Sequence, residues 1–282
     1  NAAGPWVSSF IETKLEKKAP YGIRMIKGSH IVVPRIHQFS NAFIMQNTDK
    51  RIVFAIPYRD NYTLLGTTDV EYKGNPSDVK ISDEETNYIK KDLTTDDVIL
   101  HYSGVRPLLE DESNDPSAVT RDYTLHLEDD NSQAPLLSIF GGKITTYRKL
   151  ALSAMRKLTP YFDQLGPEWT HSQPLPGGKL DMSLEAFTLS LQQSYPFIGS
   201  HLAKRFANSY GDRSHLILEG KTDLTELGEH FGADLYQAEV DYLLEKEWAY
   251  TSEDILWRRS KLGLEFNPDQ VTRLSDYIAA AK

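Results

Sequence analysis

The residues best suited to chemistry in this sequence are Gly141-Gly142-Lys143, where an apolar run ends and a basic stretch begins. Two adjacent glycines let a ligand approach the backbone closely, because no Cβ is in the way. The N–H groups that open a helix are unpaired and partly positive, so with Lys143 they suit an anion or a carbonyl oxygen. The pattern predicts a ligand-binding turn between a strand and a helix. The alternative is an ordinary glycine turn with a solvated lysine.

Two arginines, Arg106 and Arg121, stand at or next to the ends of predicted strands and are candidates for binding a phosphorylated ligand. A guanidinium matches phosphate oxygens in a bidentate arrangement, and a pair of arginines supplies more charge than one residue can. Gly104 and Pro107 flank Arg106 and shape the backbone there. The alternative is that each arginine forms a surface ion pair.

His30 follows Gly28-Ser29 and begins an apolar run. Because imidazole titrates near neutral pH, His30 could take a proton from an alcohol as a hydride leaves. The alternative is a buried histidine bonded to the backbone. We expect Asp69 to cap local N–H groups in a turn. The other seven histidines show no metal-ligand spacing, so we predict no metal site; they are His37, His101, His126, His171, His201, His215 and His230.

Strands and turns are predicted over residues 1–150, and these elements must position the candidate groups. Apolar and β-branched runs separated by polar turns predict one sheet of about six or seven strands. They lie at 29–34, 42–46, 51–56, 62–66, 98–105, 123–127 and 136–140. From Thr145 the apolar positions recur about every 3.6 residues, which predicts a basic amphipathic helix.

Prolines and glycines at 166–167 and 174–178 predict a linker, and the sequence after it is helical in pattern. Helical periodicity recurs at 183–194, 198–210, 234–249, 252–260 and 267–281. We therefore predict an α+β chain with two domains. A mostly antiparallel, β-rich domain covers 1–173, and an all-α C-terminal domain covers 179–282.

The composition excludes several classes of protein. The formal net charge of −9 over 282 residues argues against nucleic acid as the main partner. The absence of cysteine excludes disulfides, thiolate metal sites and a cysteine nucleophile. No apolar stretch approaches the roughly 18–20 residues that a membrane-spanning helix needs.

Several short motifs lie in order along essentially the whole chain and resemble those of the aerobic, FAD-dependent glycerol-3-phosphate dehydrogenase family. They are Asn1-Ala2-Ala3-Gly4-Pro5-Trp6, Lys27-Gly28-Ser29-His30, Gly66-Thr67-Thr68-Asp69, Tyr102-Ser103-Gly104-Val105-Arg106-Pro107, Thr120-Arg121-Asp122-Tyr123, the Gly141-Gly142-Lys143 turn and Leu256-Trp257-Arg258-Arg259-Ser260-Lys261. Family members open with a GxGxxG unit for the FAD pyrophosphate, and no GxGxxG occurs here. We therefore expect this chain to be the C-terminal part of a longer protein. Near Tyr88-Ile89-Lys90-Lys91-Asp92 it also looks one or two helical turns shorter than the family.

The resemblance implies roles for individual residues. It makes His30, Arg106 and Lys143 catalytic, and it assigns substrate binding to Arg106, Arg121 and Lys143. The residues that it places against FAD are Ala3, Gly4, Trp6, Gly141, Gly142, Lys143, Ile144 and Thr145. A cofactor is required in any case, because no side chain accepts a hydride.

The resemblance also implies an activity and its partners. The expected reaction is oxidation of sn-glycerol 3-phosphate to dihydroxyacetone phosphate, with electrons passed to quinone and with this fragment alone inactive. The implied enzyme is a homodimer in the cytoplasm, bound peripherally to the inner face of the cell membrane. The basic helix after Thr145 could contact anionic lipid, or it could be solvated above a core-facing stripe. Three alternatives stay open: an oxidase that uses oxygen, an amine-oxidising relative, and a non-catalytic module that binds a phosphate compound and mediates assembly.

Overall fold

The strand β1 (Ile23–Pro34) is the centre of the first of two units into which the chain divides, Asn1–Glu168 and Trp169–Lys282. The computed structural model describes residues 1–49, 51–89, 97–110, 122–130 and 133–281. Ile31, Val32 and Val33 of β1 are fully buried, and because successive side chains point to opposite faces, this part of the strand is covered on both faces.

The main sheet is antiparallel, and six of its strands belong to residues that the structure describes. The others are β2 (Phe43–Gln46), β3 (Ile52–Tyr58), β4 (Tyr62–Gly66), β5 (Val70–Glu71) and β6 (Leu100–Leu109). Their order is β2-β3-β4-β1-β5, with β6 also paired to β1. Because β6 pairs with the same stretch of β1 as β4 and β5 do, it occupies the other edge of that strand.

The last two strands of this unit form a separate ribbon. β7 (Tyr123–Glu128) and β8 (Leu136–Gly141) pair only with each other among the described strands, so the prediction of a single sheet of six or seven strands is wrong for them. The backbone of Asn1 lies along β8 instead. It donates to the Leu137 carbonyl at 2.8 Å and accepts from the Ile139 N–H at 3.0 Å.

Three α-helices lie in the described part of the first unit, and sequence reasoning found one of them. α1 (Val7–Lys14) buries Val7 and Ile11 against Phe140, and α2 (Asp83–Ile89) buries Ile89 against the main sheet. α3 (Tyr147–Leu158) begins after a 3₁₀ turn at Ile144–Thr146 and has no fully buried residue.

The second unit is helical around one hydrophobic core. It contains α4 (Leu184–Ser194), α5 (Ser200–Tyr210), α6 (Ser214–Leu218), α7 (Gln237–Lys246), a π-helical turn (Asp254–Arg259) and α8 (Pro268–Ala280). Side-chain caps fix two of the starts: Ser183 accepts from the Ala186 N–H, and Asn267 with Gln270 forms a capping box. A short hairpin, β9 (His230–Gly232) with β10 (Leu235–Tyr236), corrects the all-α prediction.

The predicted α+β class, with an antiparallel sheet followed by a helical C-terminal part, is confirmed. The bounds 1–173 and 179–282 stay a prediction. Within the described residues, no helix has the length and apolar character needed to cross a membrane. The predicted shortening at 88–92 falls mostly on residues 90–96, outside the described part of the chain.

Candidate functional site

The pairing of β1 with β6 brings His30 and Arg106 to one face of the main sheet. His30 lies opposite Tyr102, Gly28 opposite Gly104, and Ile26 opposite Arg106. Side chains alternate along strands, so each of these cross-strand pairs shares that face. The histidine and the arginine are thus separated by a pair of glycines, which have no side chains.

Of the two glycines, Gly104 is the open one, and the space above it is called the depression from here on. A Cβ on Gly28 would lie 2.6 Å from Nη2 of Arg106, so the guanidinium rests directly on the backbone at that position. Among the described residues, none has an atom within 4 Å of a Cβ built on Gly104. The open backbone at Gly104 therefore lies between the guanidinium of Arg106, which covers Gly28, and the stacked rings of His30 and Tyr102.

Arg106 is held by the Gly66–Thr67–Thr68–Asp69 turn that was singled out in the sequence. Its Nη1 donates to Oδ1 of Asp69 at 2.6 Å, and its Nη2 donates to Oγ1 of Thr67 at 3.3 Å. Asp69 therefore binds a guanidinium, and the expectation that it caps local N–H groups did not foresee this partner. Both side chains of the ion pair remain partly exposed, at 31% and 25%. The arginine thus forms an ion pair and still faces solvent.

His30 is fixed between an aromatic ring and a glycine. Its imidazole stacks on the ring of Tyr102, and a Cβ on Gly66 would collide with its Cδ2 atom. Burial, and secondarily the positive charge of Arg106, lower the pKa of His30 below its ordinary 6.5. The ring is consequently neutral at pH 7 and can accept a proton.

A buried polar network lies on the opposite face of β1, and sequence reasoning missed it. Nζ of Lys27 lies 2.5 Å from Oε2 of Glu85 in α2, and the Glu85 carboxylate also accepts hydrogen bonds from Ser29 and Thr68. Burial by itself raises the pKa of Glu85, but these hydrogen bonds, that from Lys27 foremost, lower it to about 2. No local pattern indicates this pair, because its members are far apart in sequence.

The two segments expected to contact FAD converge on the end of β6, just after Arg106. A Cβ on Gly4 would lie 3.9 Å from Cγ of Pro107. A Cβ on Gly141 would lie 3.5 Å from the backbone nitrogen of Leu109 and 2.6 Å from the carbonyl oxygen of Asp122. Gly141 and Gly142 both have positive φ, +75° and +95°, which favours glycine at both positions, and at Gly141 a side chain would also lack space.

The remaining predicted cofactor and substrate residues are accessible, with one outside the described part. Ala3 is half-buried; Trp6, Lys143, Ile144 and Thr145 are exposed. Ile144 is 85% exposed, which is unusual for an isoleucine and leaves this turn open to a ligand. Arg121 lies among residues 111–121, which are not described. Lys143 begins the turn, with its carbonyl accepting from Thr146, as expected for a residue between strand and helix.

These residues fit a flat, anionic cofactor. A turn whose backbone favours glycine, an exposed cation and an exposed apolar side chain follow one another at Gly141-Gly142-Lys143-Ile144. Close backbone approach suits a planar ring system, and positive charge near the ring suits its anionic reduced form.

Two family models match the chain. One, described as FAD dependent oxidoreductase, matches residues 1–148. The other, described as the C-terminal domain of alpha-glycerophosphate oxidase, matches residues 169–281.

Named relatives match over nearly the whole chain. A glycerol-3-phosphate dehydrogenase of Pseudomonas aeruginosa is 53% identical over 99% of this chain and 56% of its own length. The aerobic glycerol-3-phosphate dehydrogenase of Escherichia coli is 50% identical over 99% of this chain and 57% of its own length. A D-erythritol 1-phosphate dehydrogenase of Brucella abortus is 43% identical over 93% of this chain and 54% of its own. The chain thus spans little more than half the length of the curated relatives it matches.

The fold recurs in a solved structure, that of the glycerol-3-phosphate dehydrogenase from Bacillus halodurans complexed with FAD. The TM-score is 0.71 at 24% sequence identity, over 99% of this chain and 60% of that chain.

Proposed function

The chain belongs to the FAD-dependent oxidoreductase family, and we propose that it is part of an enzyme that oxidises sn-glycerol 3-phosphate to dihydroxyacetone phosphate. The observation that carries the proposal is the open position at Gly104, between Arg106 and His30 with its stacked Tyr102. A small phosphorylated alcohol has an anionic end and a reacting hydroxyl a few bonds away. The depression offers a cation to the first and a neutral imidazole to the second.

His30 takes the proton of the substrate C2 hydroxyl, directly or through water. When bound, FAD supplies the hydride acceptor that the side chains lack. The lowered pKa keeps the imidazole unprotonated at neutral pH, and the stack on Tyr102 fixes the plane of the ring. After the transfer His30 carries a positive charge beside Arg106, so the proton is readily released to solvent.

Arg106 binds the phosphate, together with Arg121 and Lys143. Its Nη1 is bound to Asp69 and its Nη2 to Thr67, but 31% of the arginine side chain remains exposed, which leaves the guanidinium accessible to an anion. This arrangement pre-orients the guanidinium before substrate arrives and reduces the entropy lost on binding. The ion pair also removes the need for an unpaired charge in the free enzyme.

The residues that hold FAD are Ala3, Gly4, Trp6 and the turn from Gly141 to Thr145. Convergence of both segments on the end of β6 supports this assignment, since they come from opposite ends of the first unit in sequence. Because the relatives are nearly twice as long, we propose that these 282 residues alone do not oxidise glycerol 3-phosphate.

The family resemblance supports quinone as the electron acceptor, a homodimer, and peripheral attachment to the inner face of the cell membrane. Two alternatives have their own support. The description of the model that matches 169–281 favours an oxidase that reduces oxygen, and the Brucella relative favours a longer polyol phosphate as substrate. The lack of fully buried residues in α3 supports a lipid-binding role for this helix. Against that role, Arg156, one of its cations, already forms an ion pair with Glu168 at 2.6 Å.

The test is dye-linked oxidation by the full-length protein, with glycerol 3-phosphate and D-erythritol 1-phosphate compared under anaerobic conditions and in air. We expect a flavin spectrum, a higher kcat/KM for glycerol 3-phosphate, and no peroxide in air. His30→Ala should lower mainly kcat, by roughly 10²-fold or more. If the protein binds no flavin and oxidises neither substrate, the proposal is wrong, and the chain is instead part of a non-catalytic module that binds a phosphate compound. Stoichiometric peroxide would identify an oxidase.

A further inference from the structure

The edge of β1 has a gap that is bridged by a side chain. β4 pairs with β1 as far as Gly66 opposite His30, and β5 resumes the pairing with Val70 opposite Lys27. Between them, the backbone N–H of Ser29 donates to Oγ1 of Thr68 at 3.1 Å. The hydroxyl of Thr68 thus stands in for the strand carbonyl that would otherwise satisfy this buried donor.

The side chains of the segment Thr67–Thr68–Asp69 divide between the two faces of the sheet. Thr67 and Asp69 both bind the guanidinium of Arg106. Thr68 is almost fully buried on the other face and donates to Oε1 of Glu85 at 2.7 Å. Whatever fixes Thr68 therefore also fixes the two residues that hold Arg106.

Glu85 is the buried anchor of this arrangement, with only 5% of its surface exposed. Its Oε1 accepts from Thr68 and from Oγ of Ser29 at 2.9 Å. Its Oε2 accepts from both the N–H and the hydroxyl of Ser82, and it lies 2.5 Å from Nζ of Lys27. The charge is balanced and the carboxylate is fully hydrogen-bonded, so the group is rigid rather than mobile.

We propose that Glu85, acting through Thr68, is a positioning residue that sets the guanidinium of Arg106 over Gly28 for binding the anionic end of the substrate. The inference rests on the proposed function, in which Arg106 binds the phosphate. Glu85 itself touches neither the depression nor Arg106. Its effect passes through two hydrogen bonds, from Thr68 to Glu85 and from Arg106 to Asp69.

The test compares Thr68→Val with Thr68→Ser in the full-length protein. Valine keeps the shape of threonine and removes the hydroxyl, whereas serine keeps the hydroxyl and removes the methyl. We expect Thr68→Val to raise the KM for glycerol 3-phosphate about tenfold, with kcat within about twofold of the wild type, because Arg106 binds without being altered chemically. Thr68→Ser should stay within about twofold in both parameters. If Glu85→Gln folds, its KM should rise as in Thr68→Val. If it does not fold, the comparison of Thr68→Val with Thr68→Ser is sufficient to test the proposal.

A double-mutant cycle separates positioning from a general loss of structure. In an Arg106→Ala background, Thr68→Val should raise KM no further, since the residue being positioned is gone. An unchanged KM in Thr68→Val, or a full tenfold increase in the Arg106→Ala background, would overturn the proposal.

Inorganic phosphate gives a readout that does not depend on turnover. Calorimetric binding of phosphate should weaken about tenfold in Thr68→Val and remain in Thr68→Ser. If the wild type oxidises no glycerol 3-phosphate while phosphate binding shows this pattern, the proposed function fails and the positioning role stands. If oxidation occurs and phosphate binding is the same in all three proteins, the positioning role fails alone.

Discussion

The imidazole of His30 lies nearly parallel to the ring of Tyr102, with centroids 5.2 Å apart and planes inclined by 13°. The two residues face each other across the β1–β6 pair, in register. This stack covers one side of the imidazole, and Tyr58 is near enough to act electrostatically on Tyr102. The ionisable groups around His30 are therefore Tyr102, which stacks on it, and Arg106, whose charge acts on it; Tyr58 acts on Tyr102, and Asp69 is paired with Arg106.

We predict that Tyr102→Leu lowers kcat up to about tenfold, the equivalent of an aromatic contact of about 0.5–1.5 kcal/mol. His30 works unprotonated, and burial holds its pKa below 6.5, so activity falls only as the pH drops through that lowered value. Removing the ring exposes His30, and the acidic limb of the kcat/KM profile should move to higher pH. Tyr102→Phe keeps the ring and should keep the wild-type profile. An unshifted limb in Tyr102→Leu would contradict this role for the stack.

Arg106→Ala should raise the KM for glycerol 3-phosphate by roughly 10²-fold, because charge-assisted hydrogen bonds are worth about 1.5–3 kcal/mol each. Arg106→Lys should recover only part of the lost affinity, since an ammonium lacks the planar pair of N–H donors that a guanidinium presents to a phosphate. Arg24 is the matched control. It belongs to the same sheet and is paired with Glu71 at 3.2 Å, so steady-state kinetics of Arg24→Ala should match those of the wild type. Equal effects at both arginines would mean that the loss is structural.

Gly104→Ala should leave stability unchanged or raise it by up to about 1 kcal/mol, because no atom of the described residues lies within 4 Å of the added methyl and the unfolded chain loses freedom. We expect the same methyl to occupy the floor of the depression and to lower kcat/KM at least about tenfold. Gly166 also has open space at its Cβ, and it lies outside the sheet. Melting temperatures and kinetics of Gly104→Ala and Gly166→Ala should therefore agree in stability and differ in activity.

Gly141→Ala should destabilise the protein and lower its flavin content. Gly141 has φ +75°, and its Cβ would approach the Asp122 carbonyl to 2.6 Å. Gly220 has the same φ with no atom within 4 Å of its Cβ, so Gly220→Ala measures the conformational term alone, about 1 kcal/mol. Thermal denaturation should show a larger loss at Gly141, and the ratio of flavin to protein absorbance should fall there only. Equal losses at both glycines would remove the steric argument.

Glu85 should make the protein sensitive to acid between about pH 4.5 and pH 2. Its folded-state pKa of about 2 lies below its ordinary 4.5, so its stabilisation is complete above pH 4.5 and is lost as the pH falls through the folded value. After allowance for solvent screening, we expect about 2 kcal/mol. Glu85→Gln should destabilise strongly at pH 7, by about 3–5 kcal/mol, because Lys27 is left buried without its counter-charge.

The control for Glu85 is Glu128, whose partner Lys17 is well exposed. Their pair is a surface ion pair at 3.0 Å, and such pairs contribute about 0–1 kcal/mol. Melting temperatures recorded from pH 7 to pH 3 should fall less steeply for Glu85→Gln than for the wild type, while Glu128→Gln follows the wild type. Parallel curves for all three proteins would show that Glu85 does not carry the acid sensitivity.

The sequence alone determined the family, the α+β class, most strands of the main sheet and the principal helices of the second unit. The family follows from the short motifs. The class, the strands and the helices follow from local periodicity, because side chains repeat with period two in strands and with a period of about 3.6 in helices. It also indicated His30, Arg106 and the Gly141-Gly142-Lys143 turn as candidates, since each residue type suits one step of an alcohol oxidation.

Only the tertiary structure decided what these residues face. Strand register is set by burial of a whole face against distant chain, and a slip of one residue would reverse every side chain of β1. That register places Tyr102 on His30, lays Arg106 over Gly28 and leaves Gly104 open. The partners Asp69 for Arg106 and Glu85 for Lys27 follow from the same long-range packing, and charge pairs so far apart in sequence leave no local pattern to read.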